Sequence, residues 1–325
     1  MSFKKEILLV FFISAFMLNG PIPATIEAQQ DYPSRPLKMY IPFDPGGSTD
    51  LFSRALADAA SKILKQPIEP LNKAGGGGTL STATVAKAKP DGYSIGVVSA
   101  TALCIAPHLR PLPYHPLQDL TPILQFANYA SALAVKADSP YKTWDDLMQE
   151  ARKSPGAVTY GTSGAGSVGH IIMEQITRME KIKLTHVPFA GGNPALAAVL
   201  GGHTTAIMAT EFLSHAKAGK LRVLAIVGEK RFAELPEVPT FLELKYPLKL
   251  GLYGGIIGPK GLPPAIVNKL EQVFQEAAKD EAFKTVMNNF LMAVTIRNSS
   301  EFRELITATY NEYGIVLKDL GIAKQ

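Results

Sequence analysis

Cysteine is almost absent. Cys104 is the single thiol in 325 residues, which excludes an intramolecular disulfide framework and a cysteine-based zinc knuckle. Charge is sparse as well. Charged residues make up 19% and hydrophobic residues 46%, a balance that suits a packed chain and not a disordered one. The 33 Lys+Arg against 28 Asp+Glu give a net charge of only +5. The basic residues form no stripe interleaved with aromatics, so a nucleic-acid partner is not expected. No G-x-x-x-x-G-K-[ST] run occurs, which argues against a P-loop nucleotidase. His108, His115, His170, His186, His203 and His215 form no H-x-x-x-H pair, so no metal site is expected. Gly161-Thr162-Ser163-Gly164-Ala165 falls one glycine short of a nucleophile elbow. Beyond residue 28 no stretch of 18 uncharged apolar residues appears, so no membrane span is expected.

What is present is punctuation: 27 Gly and 24 Pro. At the N-terminus, Lys4 and Lys5 precede an apolar run from Ile7 to Leu18. Gly20, Pro21, Pro23, Ala24 and Ala28 follow. A positive start, an apolar run of this length and a small-residue exit predict a secretory signal peptide over residues 1–28. The run is too short for a stable bilayer anchor, and the alternative is a buried N-terminal helix. Removal of Lys4, Lys5, Glu6 and Glu27 leaves the net charge unchanged.

Strand-like and helical segments then alternate. Leu37–Phe43, Ile68–Leu71 and Tyr93–Ser99 read as strands, with helical periodicity from Leu51 to Leu64 and from Thr79 to Ala88. The middle repeats the order with strands at Ala130–Lys136, Val158–Gly161, Leu184–Phe189, Thr205–Ala209 and Leu221–Val227. Thr143 is a plausible cap for a helix over Trp144–Lys153. Pro263-Pro264 starts one amphipathic helix near the C-terminus, and Ser299/Ser300 is expected to cap a second. Strands alternating with helices of this length predict parallel sheets with crossover helices. Val97–Cys104 reads as a strand-like stretch that buries the thiol.

Three glycine loops join a strand end to a helix start: Pro45–Asp50, Gly75–Thr79 and Thr162–Gly169. A helix N-terminus carries unpaired N–H groups and partial positive charge. Glycine lets backbone approach a ligand closely, and the hydroxyls of Ser48, Thr49, Thr79, Thr162, Ser163 and Ser167 add donors. Such loops can hold a carboxylate without a full cationic partner. They can also be ordinary tight turns with capped helices. Gly164, Gly166 and Gly169 match G-x-G-x-x-G, yet the next strand ends in Val187-Pro188-Phe189 without the acid that a dinucleotide ribose requires. His170 reaches a ligand from the first helical turn on one reading, and is a cap or packing residue on the other.

At these loops the sequence resembles the solute receptors of the tripartite tricarboxylate transporters, the TctC/Bug type. Tyr32-Pro33-Ser34-Arg35-Pro36 and Ile41-Pro42-Phe43-Asp44-Pro45-Gly46-Gly47-Ser48-Thr49-Asp50 carry the resemblance. It continues in order through Lys89-Pro90-Asp91-Gly92-Tyr93, Leu112-Pro113-Tyr114, Tyr160-Gly161-Thr162-Ser163-Gly164, His186-Val187-Pro188-Phe189 and Leu235-Pro236-Glu237-Val238-Pro239-Thr240.

The resemblance implies an α/β, two-lobed fold of the type II periplasmic-binding class. Residues 36–127 plus 226–325 would form one lobe and 128–225 the other. It also implies a monomeric periplasmic receptor that binds a small carboxylate by lobe closure and delivers it to a membrane permease. It implies neither cofactor nor catalysis. Phe43, Gly46, Gly47, Ser48, Thr49 and Asp50 would line one wall, with Gly78, Thr79 and Thr101 as lesser contributors. Thr162, Ser163, Ser167 and His170 would line the other. The rivals are an exported sensor that presents its closed form to a signalling partner, and an exported enzyme with His170 or Asp50 as base.

Three positions depart from the family pattern. Asp44 stands where a small or neutral residue is usual. It is either turned to solvent or selects a ligand that carries an amino group. Ala190 replaces a frequent lysine, and His203-Thr204-Thr205 replaces a segment that often carries aspartate.

Overall fold

The computed structural model describes residues 32–228, 230–248 and 253–324. The leader expected over residues 1–28 lies outside the described residues. The strands in chain order are β1 (Leu37–Ile41), β2 (Ile68–Asn72), β3 (Ser94–Ser99), β4 (Leu120–Asn128), β5 (Ser131–Lys136), β6 (Thr159–Thr162), β7 (Thr185–Pro188), β8 (Ala206–Ala209), β9 (Leu221–Val227), β10 (Tyr253–Pro259) and β11 (Ala293–Arg297). They form two sheets, ordered β11-β4-β10-β3-β1-β2 and β7-β6-β8-β5-β9. The fold is two-lobed α/β, as expected.

The sheets are mixed, not purely parallel. β2-β1-β3 and β7-β6-β8 run parallel, with helical crossovers between them. β10 pairs antiparallel with β3 and β4, and β5 pairs antiparallel with β8 and β9. Of the reversed strands, β5 and β10 stand beside the chain's passages between sheets, and β11 pairs antiparallel with β4 at the edge. A strand arriving from the other sheet needs no crossover helix and can enter in the opposite direction.

The core follows from side-chain spacing. Helix Ser48–Leu64 buries Phe52, Leu56, Ala57, Ala59 and Ala60 along one face. Helix Pro264–Ala277 buries Val267, Leu270, Val273, Phe274 and Ala277. Burying a Leu or Phe side chain stabilises by about 1.5–3 kcal/mol. β5 and β8 are buried on both faces apart from Lys136, as central strands under helices should be.

Helix Trp144–Lys153 starts at Thr143 with a capping box, as its sequence predicts. The C-terminal helix Ser299–Asp319 is capped one residue earlier than expected, by Asn298 with Glu301. Ser299 instead donates its hydroxyl to Pro122 O at 2.7 Å.

The strand expected over Val97–Cys104 also stops early. β3 ends at Ser99, and Thr101–Ile105 winds as a wide helical turn. Cys104 is buried there, 3.0 Å from the Tyr253 hydroxyl. Burial pushes its thiol up to about 12, so it stays protonated and unreactive.

Candidate functional site

The parallel strands of both sheets end toward one cleft of about 830 Å³, including its open mouth. Ligands of open α/β sheets sit beyond such carboxyl ends. The first sheet contributes Phe43, Asp44, Gly47, Ser48 and Thr49 after β1, and Ser99 and Thr101 at the end of β3. The second contributes Ser163 after β6, Gly191, Gly192 and Asn193 after β7, and Thr210 and Glu211 after β8. Tyr129 and Ser131, where the chain passes between sheets, close the floor with Tyr253.

The loop after β1 is open by construction. Helix Ser48–Leu64 is N-capped by Gly47, which has no side chain to accept from the helix N–H groups. Its first helical bond runs from Leu51 N–H to Gly47 O at 3.0 Å. The N–H groups of Ser48, Thr49 and Asp50 precede that bond and have no partner among the described residues. Gly46 adopts φ +80°, a left-handed conformation that L side chains resist.

Asp50 holds this loop from behind. Its carboxylate accepts hydrogen bonds from Arg54 Nε at 2.8 Å, Asn72 Nδ2 at 2.8 Å and Gly46 N–H at 2.9 Å. Burial alone would raise its pKa. The bonds from Arg54, Gly46 and Asn72 outweigh that and hold it below the usual carboxylate value. Asp50 is therefore a loop anchor, with its carboxylate turned away from the cleft.

Across the cleft, Gly191 caps helix Gly192–Leu200 without a side-chain bond. Gly192 and Asn193 thus present a second pair of unpaired N–H groups, and Pro194 has none to satisfy. The two walls touch. Ser48 Oγ donates to Glu211 Oε1 at 2.7 Å and lies 3.1 Å from Thr210 Oγ1. Asn193 stands opposite the glycine pair, with its Nδ2 3.9 Å from where a Cβ on Gly46 or Gly47 would sit.

Of the residues nominated from the sequence as ligand contacts, Phe43, Gly47, Ser48, Thr49, Thr101 and Ser163 line the cleft. Gly46, Asp50, Gly78, Thr79, Thr162, Ser167 and His170 do not. Gly46 stands exposed beside the lined segment.

The loop at Gly75–Gly78 is occupied by its own chain. Arg110 Nη2 and Thr79 Oγ1 both donate to Gly76 O, and Thr82 Oγ1 donates to Gly78 O. The loop at Thr162–Gly169 is likewise filled. Ser167 Oγ accepts from His170 N–H, His170 Nδ1 accepts from Gly166 N–H, and Thr162 Oγ1 donates to Gly164 O. His170 stacks on His186 with ring centroids 4.0 Å apart, while Thr162 Oγ1 lies 2.7 Å from His186 Nε2. Burial lowers the pKa of His170. Burial and then the charge of His170 push His186 down to about 4. Both rings are neutral packing groups at pH 7, and neither lines the cleft, though Val168 and Gly169 beside His170 do.

Lining residues that the sequence did not nominate include Ser99, Tyr129, Ser131, Gly191, Gly192, Asn193, Thr210 and Glu211. For Gly191–Asn193 the signal was present. Strand, paired glycine and helix stand there in the same order as in the nominated loops. Thr210 and Glu211 follow β8 without any glycine, and carry no local mark.

The cleft residues from Ser99 onward fall within a shared pattern. Residues 52–322 match the family described as "Tripartite tricarboxylate transporter family receptor". The chain is 33% identical over 275 residues to Protein BugT of Bordetella pertussis, covering 83% of this chain and 84% of that one. It is similar to a solved structure, MatC from Rhodopseudomonas palustris with bound malate. There the identity is 28% and the TM-score 0.82, over 88% of this chain and 100% of the other. A further R. palustris structure with adipate has 26% identity and a TM-score of 0.84, over 90% of this chain and 99% of that one. With the collinear match, the shared two-lobed fold and a cleft at the strand ends, the chain belongs to the tripartite tricarboxylate transporter receptor family.

Proposed function

We propose that this protein is a periplasmic receptor that captures a small organic carboxylate between its lobes and delivers it to a membrane permease. The carrying observation is that two helix N-termini, at Ser48 and Gly192, bring unpaired N–H groups to one cleft from opposite sheets. Such ends favour an oxyanion without a cationic side chain. Family membership and the malate- and adipate-bound neighbours support the same reading.

In this reading residues 36–127 and 226–325 form one lobe and 128–225 the other, with the crossings near 127 and 226 as hinge. Sheet membership supports the division, since β1–β4 and β10–β11 share one sheet and β5–β9 the other. Contacts to both walls favour the closed form by the difference in ligand affinity between closed and open states. The ligand contacts are Phe43, Gly47, Ser48, Thr49, Thr101 and Ser163, joined by Asn193 and Thr210. No covalent step is assigned to the site, and the protein acts as a monomer. The leader over residues 1–28 supplies the route to the periplasm.

Thermal unfolding against a panel of carboxylates tests the reading. A binder at 100 times its dissociation constant stabilises by about 2.7 kcal/mol, and the midpoint rises accordingly. A panel in which neutral sugars raise the midpoint and no carboxylate does would end it.

A further inference from the structure

We propose that the ligand carries a protonated nitrogen as well as a carboxylate, and that Asp44 and Glu211 receive the nitrogen. This inference rests on the receptor reading above and narrows its ligand class to small amino-bearing acids.

Apart from two tyrosines, the ionisable side chains that line the cleft are Asp44 and Glu211. No Lys, Arg or His lines it. Glu211 accepts the Ser48 hydroxyl on Oε1, and its Oε2 has no partner among the described residues. Asp44 makes neither a side-chain hydrogen bond nor an ion pair among them.

The two carboxylates flank one turn. A Cβ on Gly191 would stand 3.5 Å from Asp44 Oδ2, and a Cβ on Gly192 would overlap the Glu211 carboxylate. The helix that starts there supplies the equivalent of about half a positive charge. Set against two carboxylates, that leaves this side of the cleft negative. An anionic group at this end would meet like charge where solvent is restricted, which leaves the amides at Ser48 and Thr49 as the place for the ligand carboxylate.

A zwitterion resolves both halves of the site. Its carboxylate meets the free N–H groups at Ser48 and Thr49, and its ammonium meets Asp44 and Glu211. Specificity here combines attraction for the amino form with repulsion of its plain counterpart.

The test is titration calorimetry at pH 7.5 with matched pairs: succinate and aspartate, glutarate and glutamate, butyrate and 4-aminobutyrate. The amino member of the best-bound pair is expected to bind at least about tenfold tighter. That preference should shrink by roughly tenfold in Asp44→Asn and in Glu211→Gln, the scale of one lost charge contact. Glutamine at 211 keeps an acceptor for Ser48, and the wild-type ratio alone decides if a variant fails to fold. Equal or tighter binding of the plain acids overturns the amino-ligand inference and leaves the carboxylate receptor standing. If acids of both kinds fail to bind while neutral solutes succeed, the receptor reading falls with it.

Discussion

The loops that follow β1 and β6 hold corresponding places in their sheets, each leading into the first crossover helix of its lobe. Both carry glycines and hydroxyl residues. After β1, Gly47 occupies the cap position and leaves the helix amides free. After β6, Ser167 occupies it and spends its oxygen on His170 N–H, while Thr162 and His170 side chains bond Gly164 and Gly166. The second loops of the two lobes are reversed. Gly78 also caps its helix without a side-chain bond, but Arg110 and Thr79 donate to the Gly76 carbonyl there and Gly75–Thr79 stands off the cleft lining, whereas the loop at Gly191 lines it. One open loop per lobe therefore faces the cleft. The loops differ in whether a side chain caps the helix end and in whether the fold brings that end to the cleft, and composition alone reveals neither.

The most damaging way to break this arrangement is to remove the anchor of the open loop. Asp50→Ala is expected to cost about 2 kcal/mol in urea unfolding, because Arg54, Asn72 and Gly46 N–H lose a shared buried acceptor. It should weaken carboxylate binding as well. Since folding lowers the pKa of Asp50, its contribution is full above the ordinary carboxylate pKa and is lost as pH falls through the folded value. An unchanged acid limb in the variant would remove Asp50 from this role.

The cap positions can then be contrasted directly. Ser48→Ala breaks the bond to Glu211 across the cleft, and is expected to lower ligand affinity about tenfold with little loss of stability. Ser167→Ala should do the opposite, costing about 1 kcal/mol of stability through the lost cap and leaving affinity unchanged. Calorimetry and urea melts on both variants decide it. An affinity loss in Ser167→Ala equal to that in Ser48→Ala would erase the distinction between open and filled loops.

The effect confined to the narrowest conditions, acid pH, concerns the histidine stack behind the filled loop. Folding depresses His186 to about 4. Its contribution to stability is full above the unfolded value of about 6.5 and is lost as pH falls from there toward 4. His186→Phe should flatten this part of the stability profile. A profile with the same slope in both proteins would mean that His186 titrates normally.

Much of the fold was legible because burial leaves a period. β9 falls at the predicted residues, and β5, β6 and β8 fall within one residue at each end, since their apolar runs are short and bounded by turns. β11 left no such trace. Its Ala-Val-Thr-Ile-Arg run is half exposed at the edge of the sheet, so no face alternates. The site was legible where glycine marked it, at Gly47 through Thr49. It was illegible where contact comes from distant chain, as at Thr210 and Glu211, or where a side chain turns inward, as at Asp50 and His170. His170 was weighed as ligand contact or packing residue. The stack on His186 decides for packing.

The unequal wiring of the two sheets also sets an order of assembly. Every strand of the second sheet lies between residues 131 and 227, so that sheet can close from one continuous stretch. The first sheet cannot. β10, from Tyr253 to Pro259, sits between β3 and β4, and until it arrives both have an unpaired edge in the interior of the sheet. Such long-range pairing closes slowly, and open edges invite association with other chains. The half made first is therefore finished last, and it is the half of the nascent chain most in need of protection.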